Sequence, residues 1–187
     1  MQKDKVRSEF KKRILSFQES SNSADEKICA KLYSLDIVSS SNSILCFYPL
    51  ATEPDIKPFI QGIIADKQVF LPLVDSEAVG EISDLESLVT GNFGIKEPVA
   101  KTLFSSFDVI LIPAIAYDLN GTRLGHGVGW YDRFLPKVSP KAVRIGICYH
   151  CQISSALLPK ATHDQVVDII LTEEIIHKTH ARKYQTL

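Results

Sequence analysis

Apolar residues recur at two different spacings along this chain, and the spacings predict alternating helices and strands. Near the N-terminus the apolar positions lie three or four residues apart, at Val6, Phe10, Ile14 and Phe17. This period predicts a helix over residues 3–19, because such positions share one helix face. A second stripe of the same period follows a serine-rich break, and Ser23 with Glu26 has the spacing of a capping box at its start.

Five short runs are apolar almost throughout, which is the pattern of strands buried on both faces of a sheet. They are residues 44–48, 68–73, 107–113, 143–149 and 166–171. One helix is predicted after a capping box at Thr52 and Asp55, with Pro54 in its first turn. Further helices are predicted at residues 130–135, 152–158 and 173–182, the last capped by Thr172. Residues 75–103 are the least regular, with one helical turn expected near residues 83–88.

Strands that alternate with helices predict an α/β fold. Because the strands are apolar on both faces, we expect a three-layer α/β/α arrangement with a mostly parallel central sheet of about five or more strands. The chain of 187 residues has the size of one globular domain and no internal repeat. A single domain over residues 1–187 is therefore predicted.

Composition and charge exclude several classes of function but do not identify the function of the chain. The net charge is −1, so no overall field attracts nucleic acid or an anionic membrane. No apolar run approaches the ~20 residues that span a bilayer, and the N-terminal residues lack the apolar core of a secretory signal. We expect a cytoplasmic protein. Of its four cysteines, Cys148 and Cys151 form a C-x-x-C pair, but no second pair completes a zinc site, so structural cysteines are expected.

A glycine-rich loop between the third strand and a short helix is the main candidate for chemistry. Gly125, Gly127 and Gly129 expose backbone amides, and a helix start just beyond them would direct free N–H groups at an anion. Arg123 leads the loop and Asp132 closes it, which suits phosphates and a divalent metal. The spacing matches neither the P-loop nor the dinucleotide-binding pattern. A tight turn needed only for helix–sheet packing is the alternative.

Other polar residues follow the ends of predicted strands, where ligands gather in open α/β sheets. Tyr48 and Glu53 follow the first strand, and Tyr149 and Gln152 follow the fourth. Asp164 lies in the loop before the fifth strand. Taken singly, Glu53 is better explained as a helix-terminus acid and Asp164 as an ordinary loop residue. The basic face of the first helix either lies in solvent or reaches bound phosphates.

Residues 123–135, from Arg123 through Gly125, Gly127 and Gly129 to Asp132, resemble the signature of the 5-formyltetrahydrofolate cyclo-ligases, or methenyltetrahydrofolate synthetases. Weaker segments occur in the same order over almost the whole chain. They are Lys3-x-x-Val-Arg7, Tyr48-Pro with Glu53-Pro-Asp, Gly94-Ile-Lys-Glu-Pro98, Ile110-Leu-Ile-Pro113, Gly146-x-x-Tyr149-x-x-Gln152, and Leu158-Pro with His163-Asp164 and Val167-Asp168.

The resemblance implies an ATP- and Mg²⁺-dependent ligase. It would close 5-formyltetrahydrofolate to 5,10-methenyltetrahydrofolate through a phosphorylated formyl group, releasing ADP and phosphate. The implied ATP contacts are Lys3, Arg7, Arg123, Gly125, His126, Gly127, Val128, Gly129, Trp130 and Tyr131. The implied metal ligands are Asp132 and Asp164, and the implied folate and reacting-group contacts are Glu53, Tyr48, Tyr131 and Tyr149.

The chain departs from the family pattern at two loop positions. Val128 stands where a glycine or lysine is usual, and Trp130 replaces the usual tyrosine. Val128 suggests one alternative, a folate-binding protein with little turnover. The basic first helix suggests another, a related protein that has lost folate and binds a different nucleotide or RNA. If the chain is a cyclo-ligase, its expected partners are reduced folate and ATP, with no nucleic acid and no membrane. We expect a monomer.

Overall fold

The computed structural model describes residues 2–91, 94–104 and 106–180. The helices are α1 Gln2–Ser20, α2 Ala24–Tyr33, α3 Asp36–Ser39, α4 Lys57–Ile63 and α5 Trp130–Phe134. The first strands are β1 Ser43–Leu45, β2 Gln68–Leu73, β3 Ala78–Ile82, β4 Val89–Thr90, β5 Lys96–Glu97 and β6 Val109–Pro113. The later strands are β7 Ala116–Asp118, β8 Arg123–Leu124, β9 Val143–Ile147, β10 Ile153–Ser154, β11 Ile169–Leu171 and β12 Ile176–Lys178. Within these described residues, short 3₁₀ helices lie at Leu85–Ser87, Leu135–Lys137 and His150–Gln152.

The α/β prediction is confirmed by a seven-stranded central sheet in the order β12-β11-β9-β6-β1-β2-β3. Its five inner strands are parallel, and β12 and β3 pair antiparallel at the two edges. From β1 the chain proceeds to β2 on one side, whereas β6, β9 and β11 extend the sheet on the other. The strand order therefore reverses between β1 and β6, and a ligand crevice is expected at the carboxyl ends of these two strands.

Alternate residues of each inner strand belong to separate apolar clusters on the two faces of the sheet. In β6, Val109 and Leu111 pack on the face covered by α1 to α4, while Ile110 and Ile112 pack on the face covered by α5. Phe107 and Phe134 extend the second cluster with aromatic rings. Burial on both faces accounts for the apolar runs and produces the predicted three layers. No helix in the described parts of the chain is long and apolar enough to cross a membrane.

A third, smaller cluster fixes α1 against the hairpin of β7 and β8. Phe10 of α1 packs with Ile115, Ala116 and Leu124, and the Asn120-Gly121 turn joins the two strands as predicted. Because Leu124 directly precedes the glycine loop, this cluster holds the start of α1 next to that loop.

Two predicted helices are wrong. Residues 152–158 contain the end of a 3₁₀ turn and β10, which pairs parallel with β7. Residues 173–180 contain β12, and the rest of the predicted helix lies outside the described residues. Thr172 does act as a cap, but its hydroxyl accepts the amides of Glu174 and Ile175 and closes a turn between β11 and β12. The β-branched Ile175 and Ile176 favour an edge strand there.

Both predicted capping boxes are also wrong, although the helices exist. Ser23 precedes α2 without a side-chain hydrogen bond to the helix. Helix α4 begins later than expected, with Ile56 at its N-cap position and the Asp55 carboxylate accepting the Lys57 amide at 3.0 Å. The sequence also left β3 unpredicted, because Gly80 interrupts its short apolar pattern.

The C-x-x-C cysteines fit the structural interpretation. All four cysteines of the chain are free thiols. Burial, with a smaller contribution from the Glu173 carboxylate, raises the pKa of Cys151 to about 11. Cys148 is fully buried, which also raises its pKa. Both side chains are therefore protonated near neutral pH.

Gln152, which follows a strand end, is a buried crosslink. It is 0 % exposed, its Oε1 accepts the Tyr149 amide at 2.7 Å, and its Nε2 donates to the Ala114 carbonyl at 2.7 Å. The side chain thus joins the chain segments that follow β9 and β6.

Replacing Gln152 should destabilise the fold. Gln152→Leu leaves a buried amide and a buried carbonyl unpaired, so we expect a loss of about 2–3 kcal/mol in the free energy of unfolding, measured with urea. Gln152→Glu retains the acceptor, and its protonated form regains a donor. The loss of unfolding free energy that Gln152→Glu causes should therefore be smaller at pH 5 than at pH 8. The exposed Gln68→Leu is the control, expected within about 0.5 kcal/mol of the parent. A Gln152→Leu protein as stable as this control would contradict the crosslink.

Candidate functional site

A cavity of about 280 Å³ opens where the strand order reverses. It is lined by residues at or just beyond the carboxyl ends of β1, β2 and β6, including Tyr48, Val74 and Pro113. The glycine loop from Gly125 to Asp132 and the start of α1 form other parts of its wall. All but one of the site residues predicted from the sequence line this cavity; they are Lys3, Arg7, Tyr48, Glu53, Arg123, Gly125, His126, Gly127, Val128, Gly129, Trp130, Tyr131, Asp132 and Asp164.

The glycine loop is held in place by α1 and by its own backbone geometry. The Arg7 guanidinium donates through Nε to the Gly125 carbonyl at 2.9 Å. Gly127 and Gly129 have φ angles of 104° and 70°, which side chains with a Cβ rarely adopt. Gly129 is also the N-cap residue of α5. The loop therefore turns sharply into the helix, as the glycine spacing predicted.

Arg123 and Asp132 form the closed end of the loop. Arg123 Nη2 donates to Asp132 Oδ2 at 2.8 Å, and Asp132 Oδ1 accepts the Gln165 amide at 3.0 Å. The Arg123 guanidinium also lies 5.3 Å from the centre of the Tyr131 ring. Both side chains of the ion pair are largely buried, so solvent screens the pair weakly.

Lys3 and Asp164 meet from opposite ends of the chain. The Lys3 ammonium lies 2.5 Å from Asp164 Oδ2, which also accepts the Ala161 amide at 2.7 Å. Burial opposes ionisation of Asp164, but the Ala161 amide and the Lys3 ammonium outweigh it and lower the pKa of this carboxyl. Because Asp132 binds the amide of the residue after Asp164, both carboxylates belong to one corner of the cavity.

Glu53 presents a buried carboxylate to the cavity. One oxygen, Oε2, accepts the Leu50 amide at 2.9 Å, and the other lies 3.1 Å from His126 Nε2. Glu53 is only 6 % exposed, whereas Tyr48 beside it is partly exposed. The carboxylate is thus fixed in direction and suited to accept N–H groups from a ligand.

Two polar atoms of the cavity wall have no hydrogen-bond partner among the described residues. They are the Tyr131 hydroxyl and Arg123 Nε. Burial and the nearby Glu53 carboxylate raise the pKa of Tyr131, so its hydroxyl is a donor. Buried polar groups are nearly always hydrogen-bonded. Unpaired groups at a cavity wall therefore indicate a ligand contact.

Tyr149 is the site residue that the structure does not bring into the cavity. Its side chain is buried against Phe17, and its hydroxyl donates to Asp25 Oδ1 at 2.9 Å. The same hydroxyl lies 3.4 Å from the Glu53 carbonyl. Its contact with the reacting group stays a prediction, and in the ligand-free protein its hydroxyl lies behind Glu53. Asp25, its partner, carried no signal in the sequence.

Val128 and Trp130, the two departures from the family pattern, differ in their structural roles. Val128 is 51 % exposed, and its carbonyl accepts Arg133 Nη1 at 2.8 Å. Trp130 is buried, and its indole N–H donates to the Leu73 and Ser76 carbonyls. The tryptophan therefore ties the start of α5 to the end of β2.

Some lining residues were missed by sequence reasoning. They include Leu50, Lys96, Pro113 and His163. Lys96 and His163 lie inside segments that carry the family resemblance, which was the available signal, whereas Leu50 acts through its backbone amide.

The carboxylates partly fit a divalent metal. Among the described residues, no group of three His, Cys, Asp or Glu side chains could hold an ion. Asp132 and Asp164 alone suit Mg²⁺, which often takes one or two carboxylates and completes its shell with phosphate oxygens and water. The donor set is thus compatible with a metal that arrives with a phosphate ligand.

Removing the Tyr131 hydroxyl should not harm the ligand-free protein. Since the group is buried and unpaired, Tyr131→Phe should raise the free energy of unfolding by about 1 kcal/mol. Tyr117→Phe is the matched control, because its buried hydroxyl donates to the Ile112 carbonyl at 2.8 Å. The control should lose about 1 kcal/mol. Equal destabilisation of both variants in urea would show that Tyr131 is already paired.

Comparisons with known proteins agree with this geometry. A sequence model of the 5-formyltetrahydrofolate cyclo-ligase family matches residues 1–173. A 5-formyltetrahydrofolate cyclo-ligase of Mycolicibacterium smegmatis is 29% identical over 145 residues, which cover 71% of this chain and 74% of that protein.

Two solved structures are also similar. The 5,10-methenyltetrahydrofolate synthetase of Aquifex aeolicus has a TM-score of 0.84 and 31% identity, covering 100% of this chain and 96% of that one. The synthetase of Mycoplasma pneumoniae has a TM-score of 0.68 and 25% identity, covering 93% of this chain and 100% of that one. Because the family model matches residues 1–173 of the 187 in this chain, the chain belongs to the 5-formyltetrahydrofolate cyclo-ligase family.

Proposed function

We propose that this protein converts 5-formyltetrahydrofolate to 5,10-methenyltetrahydrofolate and uses ATP, which becomes ADP and phosphate. The observation that carries the proposal is one cavity with two different ends. At one end Lys3, Arg7 and the glycine loop offer cations and backbone amides. At the other end Glu53 offers a fixed carboxylate. The first end suits a triphosphate, and the second suits the N–H groups of a reduced pterin.

The phosphate end would work by position and charge. Phosphoryl transfer needs an aligned phosphate and neutralisation of its oxygens. Arg123 and Lys3 would supply charge, while amides of the Gly127–Gly129 turn would supply donors. Arg7 is already bound to the Gly125 carbonyl and would hold the loop in its phosphate-binding shape.

The folate end would place the formyl group against the γ-phosphate. Glu53 would accept pterin N–H groups, with Tyr48 beside it and Tyr149 supporting it from behind. The Tyr131 hydroxyl is close enough to Glu53 for the carboxylate to affect its pKa, so it would donate near the reacting atoms.

The chemistry balances without a covalent enzyme intermediate. The formyl oxygen attacks the γ-phosphorus, the bond from that phosphorus to the β–γ bridging oxygen breaks, and ADP leaves. N10 of the folate then attacks the formyl carbon and loses its proton. Phosphate departs with the former formyl oxygen, and the methenyl bridge retains one positive charge.

Magnesium is part of the proposal. Asp132 and Asp164 would hold Mg²⁺ at the phosphate end, where the ion would neutralise charge on the triphosphate. We also propose that the chain acts as a single-domain, cytoplasmic monomer with no nucleic-acid or membrane partner. A folate-binding protein with little turnover is the second candidate, because the exposed Val128 adds no cation to the loop.

The direct test mixes purified protein with 5-formyltetrahydrofolate, ATP and Mg²⁺. We expect the ultraviolet absorbance of the methenyl product to rise with one ADP formed per product. Omitting ATP or chelating Mg²⁺ should abolish the rise. Tight folate binding by calorimetry without ADP would favour the second candidate, and neither binding nor turnover would contradict both.

Glu53→Gln should separate the two ends of the cavity. The amide keeps the shape of the side chain but loses the charge and one acceptor, so we expect KM for the folate to rise about 10-fold or more. The dissociation constant of ATP, measured by calorimetry, should change less than about 2-fold because the nucleotide lies at the other end. Asp164→Asn is the comparison, expected to act on ATP and Mg²⁺ instead. An equal loss of ATP affinity in Glu53→Gln would refute the assignment.

A further inference from the structure

The Glu53 carboxylate belongs to a tight turn whose hydrogen bonds are internal. The Glu53 amide donates to the Leu50 carbonyl at 2.9 Å, and Glu53 Oε2 accepts the Leu50 amide at 2.9 Å. These two bonds fix the carboxylate within the turn, but they do not attach the turn to the rest of the fold. The direction of the carboxylate into the cavity therefore depends on the groups that hold this turn from outside.

The backbone just after Glu53 is held by Asp25 of α2. Pro54 has no N–H group, so the first amide after Glu53 that can donate is that of Asp55. This amide donates to Asp25 Oδ1 at 3.0 Å. Asp25 lies in the first turn of α2, where the helix dipole favours a negative charge. Because a hydrogen bond to a charged acceptor is stronger than one between neutral groups, this contact ties the turn to α2.

A second chain segment meets the same oxygen of Asp25. The Tyr149 hydroxyl donates to Asp25 Oδ1 at 2.9 Å and lies 3.4 Å from the Glu53 carbonyl. The Tyr149 ring packs on Phe17 of α1 with the ring centres 5.0 Å apart, which restrains the direction of the hydroxyl. One carboxylate oxygen thus joins α2 to the backbone that carries Glu53 and to the segment after β9.

We propose that Asp25 is a positioning residue for the folate end of the cavity. Asp25 does not line the cavity, so it acts through Glu53, whose carboxylate keeps its direction because Asp25 holds the backbone that follows. Without Asp25 the turn can move, and the pterin N–H groups then meet an acceptor that points in the wrong direction. This inference rests on the proposed function, since it concerns how the same site holds its folate.

The experiment compares Asp25→Ala with Glu26→Ala. Both variants remove one carboxylate from the first turn of α2, but Glu26 is exposed. For Asp25→Ala we expect the KM for 5-formyltetrahydrofolate to rise about 5-fold, as the loss of one hydrogen bond provides, while the dissociation constant of ATP changes less than about 2-fold. Asp25→Asn keeps an acceptor oxygen, so it should recover part of this loss. Glu26→Ala should retain the parent KM.

A role of Asp25 in stability alone would give a different result. Partial unfolding lowers the rate per total protein but leaves the KM of the folded molecules unchanged. An unchanged KM in Asp25→Ala, an equal rise in Glu26→Ala, or an equal loss of ATP affinity in Asp25→Ala would therefore overturn the inference.

A second background tests whether Asp25 acts through Glu53. In Glu53→Ala no carboxylate remains to be positioned, so adding Asp25→Ala should raise the folate KM by less than about 2-fold. Independent effects, which multiply in the double variant, would overturn the inference. If turnover is absent, the dissociation constant of the folate, measured by calorimetry, replaces KM in each comparison. A parent that binds folate without forming ADP would then refute the proposed function alone, whereas a parent that binds no folate would refute both.

Discussion

The site depends on the docking of α1 against the hairpin that precedes the glycine loop. Phe10 packs with Leu124 in a small apolar cluster, and Leu124 is followed at once by the loop. Because residues three and four apart share a helix face, this contact also brings Arg7 and Lys3 over the cavity. Arg7 then binds the Gly125 carbonyl and Lys3 binds Asp164. Apolar packing thus sets the position of the cations, and segments distant in sequence form one wall.

The charges at this wall are balanced before any ligand binds. Lys3 is paired with Asp164 and Arg123 with Asp132, each within hydrogen-bonding distance. A phosphate that draws on these cations leaves two carboxylates facing it. A divalent ion at the carboxylates would remove that repulsion, which gives a physical reason for the nucleotide and the metal to bind together. The pairs also keep the cations in place, so little reorganisation is needed at the moment of reaction.

Sequence reasoning succeeded where one local signal decided the structure. The helical spacing of apolar residues identified α1, and the runs that are apolar on both faces identified the parallel strands. It failed where tertiary contacts decided the structure. Residues 152–158 begin with the buried Gln152 crosslink, and β12 is an edge strand because it pairs with β11. The glycine spacing predicted a turn into a helix. The residues that line the cavity together with this loop were predicted only from the family resemblance. The position of Tyr149 just after β9 could not reveal that its hydroxyl donates to Asp25, because that contact joins residues far apart in the sequence.

A crystal structure with a non-hydrolysable ATP analogue, Mg²⁺ and 5-formyltetrahydrofolate tests the central claim most directly. We predict that the γ-phosphate lies between Lys3 and the Gly127–Gly129 turn, with the pterin ring at Glu53 and the formyl oxygen aimed at the phosphorus. Nucleotide bound outside the cavity, or a pterin that does not approach Glu53, would contradict it.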